Sequence, residues 1–199
     1  MRLAIFGGTF DPVHQAHLEV ARQAADRFHL DRVLFVPASR PPHKSGVTHA
    51  PYQHRVSMLE LACRLDPRFE VSRLEESTPR SYSIDTIEKV KETLDPSDEL
   101  FFLIGADAFA EILTWHRWHD VLGSVKFIVV SRPGRHYRVP RDARIESLET
   151  LALPVSSSAV RCALAAGERP SEVPASVFSY IREHRLYGAM TPESWPGDT

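Results

Sequence analysis

The chain has 199 residues, of which 43% are hydrophobic and 25% charged, as is typical of a globular protein with a single domain. Its formal net charge of -2 at pH 7 gives no general attraction for nucleic acid or for an anionic membrane. The two cysteines, Cys63 and Cys162, are too few for a disulfide framework and indicate small core residues in a reducing compartment. Without a signal peptide or an apolar stretch long enough to span a membrane, a cytoplasmic location is expected.

Short apolar runs recur along the chain and predict the strands of a sheet. The six runs cover residues 3–6, 33–36, 69–71, 100–104, 126–130 and 151–153. Several are continuous rather than alternating, which is typical of strands covered on both faces, as in a parallel sheet. Segments with helical periodicity lie between them at residues 18–28, 52–65 and 83–94. This alternation predicts an α/β fold, a doubly wound parallel sheet with helices on both faces.

The C-terminal part is predicted to form a helical tail that packs against the last strand. Its two helices are predicted at residues 156–166 and 174–185, and residues 1–188 are expected to form one domain. The final stretch, residues 189–199, has no hydrophobic period and contains two prolines and a glycine. A disordered C-terminal tail is therefore expected there.

The stretch from Phe6 to Leu18, between the first predicted strand and the first helix, carries the most chemical information. It contains Gly7 and Gly8 but has the spacing of neither the dinucleotide-binding fingerprint nor the P-loop. Because glycines lack a side chain, a ligand can approach the backbone closely. The N–H groups at the start of the following helix favour phosphate. The stretch therefore predicts a site for nucleotide phosphates.

His14 and His17 stand three residues apart near the start of this helix, so both can face the same side. Imidazoles in this position can bind phosphate oxygens and stabilise charge that develops during transfer. Two alternatives remain open, since each histidine can be an ordinary surface or core residue and the pair can belong to a metal site. A metal site needs a third ligand, and no glutamate stands at the spacing of the metalloprotease motif. No metal ligand is therefore assigned.

A second polar motif, Ser156-Ser157-Ser158, begins the helix predicted at residues 156–166, with Arg161 one turn later. Its hydroxyls can cap the helix or donate to phosphate oxygens, and the arginine can bind the same ligand with a planar fork. Serine caps are common, so this motif alone is weak. Together with the first motif it predicts two helix N-termini directed at one polyphosphate.

The two motifs resemble the paired signatures of nucleotidyltransferases with an HxGH motif, and the chain is most similar to the bacterial nicotinate-mononucleotide adenylyltransferases. The matches keep the family's order and span residues 1 to about 187. Further shared motifs are Pro41-Pro42-His43-Lys44, Arg80-Ser81-Tyr82-Ser83-Ile84-Asp85-Thr86, Gly105-Ala106-Asp107, Trp115-His116 and Ser131-Arg132-Pro133-Gly134. One departure is Ala16, where the family usually has glycine, and its methyl group is expected to lower ATP affinity modestly.

The resemblance implies a Rossmann-like nucleotidyltransferase fold and transfer of the adenylyl group of ATP to nicotinate mononucleotide, giving deamido-NAD and pyrophosphate, with Mg2+ required. His14, His17 and Lys44 would be catalytic, with His17 the main stabiliser of the reacting phosphate. ATP would be bound by Gly7, Gly8, Thr9, Phe10, His17, Gly105, Asp107, Ser156, Ser157 and Arg161. Nicotinate mononucleotide would be bound by Lys44, Tyr82, Ser83, Thr86, Trp115 and Arg132. The implied partners are these small molecules, without nucleic acid or membrane, and the oligomeric state stays open.

The residue types fit this chemistry. The acceptor phosphate is already an anionic nucleophile, so the protein needs no strong base and must align two repelling anions. The nicotinate carboxylate should be bound by free N–H groups where the helix at residues 83–94 begins. Trp115 can stack on the pyridine ring, although it can equally be a core residue, because Trp118 lies one turn further on. Asp107 follows a predicted strand and can accept from a ribose hydroxyl.

Three other functions remain open. Transferases for nicotinamide mononucleotide or phosphopantetheine, and cytidylyltransferases, share the histidine and Ser-Arg motifs, so these motifs do not separate them. A non-catalytic nucleotide-binding protein could keep the same loop, and a metal-dependent hydrolase would bind zinc without nucleotide. The five arginines between residues 132 and 144 are expected to lie in a solvated loop rather than in a nucleic-acid site.

Overall fold

A computed structural model describes residues 1–40, 48–76, 78–151 and 155–189 of the chain. It contains a six-stranded sheet of order β3-β2-β1-β4-β5-β6 in which every neighbouring pair is parallel. The strands are β1 (Arg2–Gly8), β2 (Arg32–Pro37), β3 (Phe69–Val71), β4 (Glu99–Gly105), β5 (Lys126–Ser131) and β6 (Ile145–Glu149). The predicted doubly wound parallel sheet is confirmed.

Seven α-helices are described, and they cover both faces of the sheet. They are α1 (Gln15–Arg27), α2 (Tyr52–Cys63), α3 (Ser83–Lys91), α4 (Ala106–Ala110), α5 (Trp118–Ser124), α6 (Ser157–Ala165) and α7 (Ala175–Glu183). Single 3-10 turns are formed by Ile112–Thr114 and Leu186–Gly188. The predicted C-terminal helices are present as α6 and α7, whereas α4 and α5 were not predicted because five and seven residues carry little periodicity.

The core consists of two apolar clusters, one on each face of the sheet. On one face, Ala4 of β1 packs with residues of α1, α2, α6 and α7, such as Leu18 and Leu59. On the other face, Leu3 and Ile5 pack with residues of α3, α4 and α5. Neighbouring residues of one strand are thus buried on opposite faces, which explains why the strand sequences are continuously apolar.

Two expectations from the sequence are wrong. The sixth strand is β6 rather than residues 151–153, since Leu151 is 87% exposed and residues 152–154 lie outside the described part. β6 is an edge strand that pairs only with β5, and its sequence, Ile-Glu-Ser-Leu-Glu, is mixed rather than continuously apolar. Cys63 is buried as predicted, and burial raises the pKa of its thiol to about 12, but Cys162 is exposed.

The structure describes the C-terminal part of the chain as far as Ala189. Ala189, the last described residue, is buried, and residues 190–199 of the predicted tail lie outside the described part. The division into a domain and a tail therefore stays a prediction. Among the described residues, no helix is long and apolar enough to cross a membrane.

The strand order reverses at β1, whose neighbours are β2 and β4. Ligands of such sheets bind beyond the carboxyl ends of the strands at this point. β1 ends at Gly8 beside Pro37 of β2, and β4 ends at Gly105 beside Val130 of β5. Two adjoining cavities open at these strand ends, with volumes of about 560 and 240 Å³.

Candidate active site

The larger cavity lies between the loop that joins β1 to α1 and the start of α6. The smaller cavity lies on the other side of β1, between β2, β4 and the start of α3. Phe6, Thr9 and Gly105 line both cavities, so ligands bound in the two would meet at the end of β1. The structure thus places two cavities next to each other at the switch point of the sheet.

His14 and His17 lie together in the wall of the larger cavity. Their rings are stacked with centroids 3.8 Å apart, and the His14 backbone N–H donates to His17 Nδ1 at 3.2 Å. Because Nδ1 accepts this bond, the neutral His17 ring carries its proton on Nε2. His14 is 4% exposed, and burial lowers its pKa to about 4. His14 is therefore uncharged at neutral pH.

The loop before these histidines is shaped by Phe10, which has a positive φ of 48° and a side chain that is 2% exposed. Its ring packs against His17 with centroids 5.0 Å apart. A Cβ on Gly8 would lie 2.9 Å from the Phe10 ring, whereas one on Gly7 would make ordinary contact with Phe102. Packing of Phe10 therefore accounts for the glycine at position 8. The close ligand approach expected at both glycines stays a prediction.

Asp11 connects this loop to distant parts of the chain and was not predicted as a site residue. Its buried carboxylate accepts hydrogen bonds from the backbone N–H of His49 at 2.7 Å and of Ala50 at 3.1 Å. It also accepts from the Tyr187 hydroxyl at 2.7 Å. The Asp11 backbone oxygen accepts from Arg161 Nη1 at 2.7 Å. The sequence contains no signal for this network, because every partner is at least 38 residues away.

The start of α6 reaches the same cavity. Ser156 is the N-cap and its hydroxyl accepts from the backbone N–H of Ala159 at 3.2 Å. The Ser157 hydroxyl donates to the backbone oxygen of Pro12 at 3.0 Å. Arg161 Nη2 donates to the Ser158 hydroxyl at 3.1 Å. The structure therefore brings the N-termini of α1 and α6, both histidines and Arg161 to one cavity.

Ala16, the departure from the family motif, also lines the larger cavity and is 9% exposed. Its methyl group is thus placed where it can touch a ligand. The expected modest loss of ATP affinity stays a prediction.

The smaller cavity contains three of the six residues expected to bind the acceptor. Ser83 begins α3, and the preceding residue, Tyr82, makes no side-chain cap, so N–H groups of the first turn have no capping partner. Tyr82, Ser83 and Trp115 line the cavity. Trp115 is half-buried and meets Phe102 edge-on with centroids 6.0 Å apart, whereas Trp118 stacks on His119 away from both cavities. Of the two tryptophans, Trp115 is therefore the one positioned to contact a ligand.

Three expected site residues, Thr86, Asp107 and Arg132, line neither cavity. Thr86 is buried, and its hydroxyl donates to Glu75 Oε1 at 2.6 Å, so its expected contact with the acceptor stays a prediction. Asp107 is exposed and forms an ion pair with Arg135. Arg132 is exposed and, like Asp107, lines neither cavity. Lys44 lies outside the described residues.

Glu75 and His116 also line the smaller cavity. Neither was predicted as a site residue, although Trp115-His116 was among the motifs shared with the family. Glu75 is 7% exposed, although its neighbour Glu76 is exposed. The sequence alone does not show which of two adjacent glutamates in a turn is buried, so Glu75 could not be predicted.

Comparisons with known proteins show the family of the chain. The cytidylyltransferase-like family model matches residues 5–163. A probable nicotinate-nucleotide adenylyltransferase of Solibacter usitatus is 63% identical over 187 residues, covering 94% of this chain and 100% of the relative. A relative of the same name from Thermus thermophilus is 43% identical over 192 residues, with coverage of 94% and 100%.

Solved structures share the fold. The Plasmodium falciparum nicotinic acid mononucleotide adenylyltransferase complexed with NaAD superposes with a TM-score of 0.78 at 18% identity, covering 95% of this chain and 98% of that one. A putative nicotinate-nucleotide adenylyltransferase from Vibrio parahaemolyticus gives 0.68 at 19% identity, with coverage of 94% of each chain. The sequence relatives, with the fold in agreement, show that the chain belongs to the nicotinate-nucleotide adenylyltransferase family of cytidylyltransferase-like proteins.

Proposed function

We propose that the protein transfers the adenylyl group of ATP to nicotinate mononucleotide, releasing pyrophosphate and forming deamido-NAD. The observation that carries this proposal is the pair of cavities that share Phe6, Thr9 and Gly105 at the end of β1. The larger has the helix N-termini, imidazoles and arginine suited to a polyphosphate. The smaller has the aromatic wall and the helix start suited to a pyridine carboxylate.

In the larger cavity, Arg161 and Ser157 are proposed to hold the β and γ phosphates. Arg161 donates to Asp11 and Ser158 through Nη1 and Nη2, and a guanidinium has five N–H donors. The bonds to Asp11 and Ser158 thus orient the group while other donors bind phosphate oxygens. The N-terminus of α1 adds positive potential on the opposite wall.

The histidines are proposed to act on the reacting α phosphate. His17 donates through Nε2, and uncharged His14 stacks on it and fixes the ring plane. The acceptor phosphate enters from the smaller cavity and attacks in line, with pyrophosphate leaving toward Arg161. Because the nucleophile is already anionic, neither histidine needs to remove a proton, and both stabilise charge instead.

Mg2+ is proposed to bind through the phosphates of ATP. In the described ranges, no group of three or more His, Cys, Asp or Glu side chains is arranged to hold a metal ion. A site with few protein ligands fits Mg2+, because this ion often keeps several waters and binds largely to substrate phosphates. When bound, the ion neutralises phosphate charge. Thr9 and Ser157, at the cavity wall, would be the residues near its hydration shell.

The test is pyrophosphate release from ATP with nicotinate mononucleotide, nicotinamide mononucleotide or phosphopantetheine as the acceptor. We expect the acid to react with the highest kcat/KM, because the first turn of α3 offers N–H donors to its carboxylate. Release with phosphopantetheine alone would assign a different acceptor. Binding of ATP without release in the presence of any acceptor would mean a nucleotide-binding protein.

A further inference from the structure

Glu75 is the buried acidic residue of the smaller cavity, and its two oxygens differ. Oε1 accepts a hydrogen bond from the Thr86 hydroxyl at 2.6 Å. Oε2 is buried and has no hydrogen-bond partner among the described residues. Burying a carboxylate oxygen without a partner is costly. An unpartnered oxygen on a residue that lines a cavity calls for an explanation, and a ligand group that completes its bonding provides one.

The protein balances this charge only in part. Among the described residues, no lysine or arginine lines the smaller cavity, and Glu75 forms no salt bridge. Arg55 is fully buried nearby, but its guanidinium donates to the backbone oxygens of Ala50, Thr9 and Ala38. Burial lowers the pKa of Arg55, and attraction to Asp11 and Glu75 partly offsets that effect. Nη2 of Arg55 also has no hydrogen-bond partner among the described residues, so Arg55 offsets the charge of Glu75 without bonding to it, and a cation in the cavity would offset the remainder.

We propose that Glu75 recognises the positive charge of the pyridinium ring of the acceptor, an inference that rests on the proposed function. A pyridine mononucleotide carries a fixed positive charge on its ring nitrogen. Trp115 and Phe102, whose rings meet edge-on, provide an aromatic lining against which the ring can pack, and Glu75 provides the anion. The ring carboxylate is bound by the first turn of α3, so the zwitterionic ring has a partner for each charge.

The principal alternative is that Oε2 accepts a hydrogen bond from a ribose hydroxyl. The 1,4-dihydro form of nicotinate mononucleotide separates the two possibilities. It keeps the ribose, the phosphate and the carboxylate, but its ring is uncharged. A contact with the ribose would be equal for both forms, whereas a contact with ring charge exists only for the oxidised form.

The experiment measures kcat/KM for the oxidised and the dihydro mononucleotide in the wild type, Glu75→Gln and Glu76→Gln. Glu75→Gln keeps the shape and the Thr86 contact but removes the charge. Glu76 is exposed and bonded to Gln53, so its variant controls for loss of one negative charge in the same turn. In Glu75→Gln we expect kcat/KM for the oxidised form to fall at least about tenfold, with less than about threefold change for the dihydro form. Glu76→Gln should keep the wild-type preference.

If Glu75→Gln loses activity equally with both forms, or loses none, its preference for the oxidised form is unchanged, and either result would overturn the inference. An equal loss would favour the ribose contact or a supporting role. A wild type without preference for the oxidised form would overturn the inference as well. Thermal unfolding of each variant shows whether an equal loss comes from misfolding. A wild type that releases no pyrophosphate with either form contradicts the proposed function instead, so the two failures are distinguishable.

Discussion

The buried carboxylate of the larger cavity, Asp11, bonds to groups far apart in the sequence, whereas that of the smaller cavity, Glu75, bonds to Thr86 only 11 residues away. Asp11 alone links the β1–α1 loop to Ala50, to Tyr187 and, through its backbone oxygen, to Arg161. The smaller cavity takes most of its polar and aromatic residues from Glu75, from the start of α3 and from Trp115-His116. The difference predicts that substitutions of Asp11 and its partners disturb ATP binding and folding together, while substitutions of ligand-facing residues in the smaller cavity change mainly acceptor use.

The largest expected effect is that of His17→Ala on the chemical step. Because His17 is placed to stabilise the reacting phosphate, kcat should fall by roughly 10²-fold or more, with little change in ATP affinity. Steady-state kinetics and calorimetric ATP binding measure the two quantities. His119→Ala, an exposed histidine of α5, serves as the control and should leave both unchanged. A change mainly in ATP affinity would mean that His17 only binds.

The burial of His14 predicts a stability loss in mild acid. Its pKa is lowered to about 4 in the folded protein from an ordinary value of 6.5. The unfolded chain therefore binds more protons between these values, and stability falls as the pH drops from about 7 to about 4, by at most about 3 kcal/mol. His14→Asn keeps a residue that suits a helix N-cap but removes the titration. Urea unfolding across this range should show a shallower loss for the variant, and parallel curves would contradict the burial of an uncharged His14.

Asp11→Asn should weaken the frame of the larger cavity. The amide retains one oxygen acceptor in place of two, so the three bonds from His49, Ala50 and Tyr187 cannot all be kept. We expect a loss of about 2 kcal/mol in the free energy of unfolding together with a higher KM for ATP. Tyr187→Phe removes only one of these bonds and should cost about 1 kcal/mol. Equal stability of Asp11→Asn and the wild type would show that the Asp11 carboxylate does not stabilise the larger cavity.

Trp115→Ala should affect the smaller cavity alone. Loss of its ring is expected to raise KM for nicotinate mononucleotide about tenfold, on the scale of one aromatic stacking contact, while KM for ATP stays within about twofold. Trp118→Ala is the matched control, because Trp118 lines neither cavity. If Trp118→Ala has the larger effect on the acceptor, the assignment of the two tryptophans is reversed.

The sequence predicted the elements of the fold and the motifs of the larger cavity, but not the contacts between distant residues. Strand and helix periodicity predicted the parallel sheet, and the motifs around His14 and Ser156 predicted the two helix starts that meet in the larger cavity. The contacts that fix this cavity were not predictable, because the Asp11 carboxylate pairs with groups 38 to 176 residues away. In the smaller cavity, the bond from the Thr86 hydroxyl to Glu75 was not predictable, since helix position alone does not show which neighbour a hydroxyl bonds to.

In the proposed reaction, the two substrates lie side by side and react directly. The histidines stabilise charge and form no covalent bond to the nucleotide. The stereochemical course at the α phosphorus tests this direct reaction, with chiral α-thio-ATP and nicotinate mononucleotide as substrates. A single in-line displacement predicts inversion of configuration in the dinucleotide product. Retention would require an intermediate in which a protein side chain carries the adenylyl group, and would contradict the assigned roles of His14 and His17.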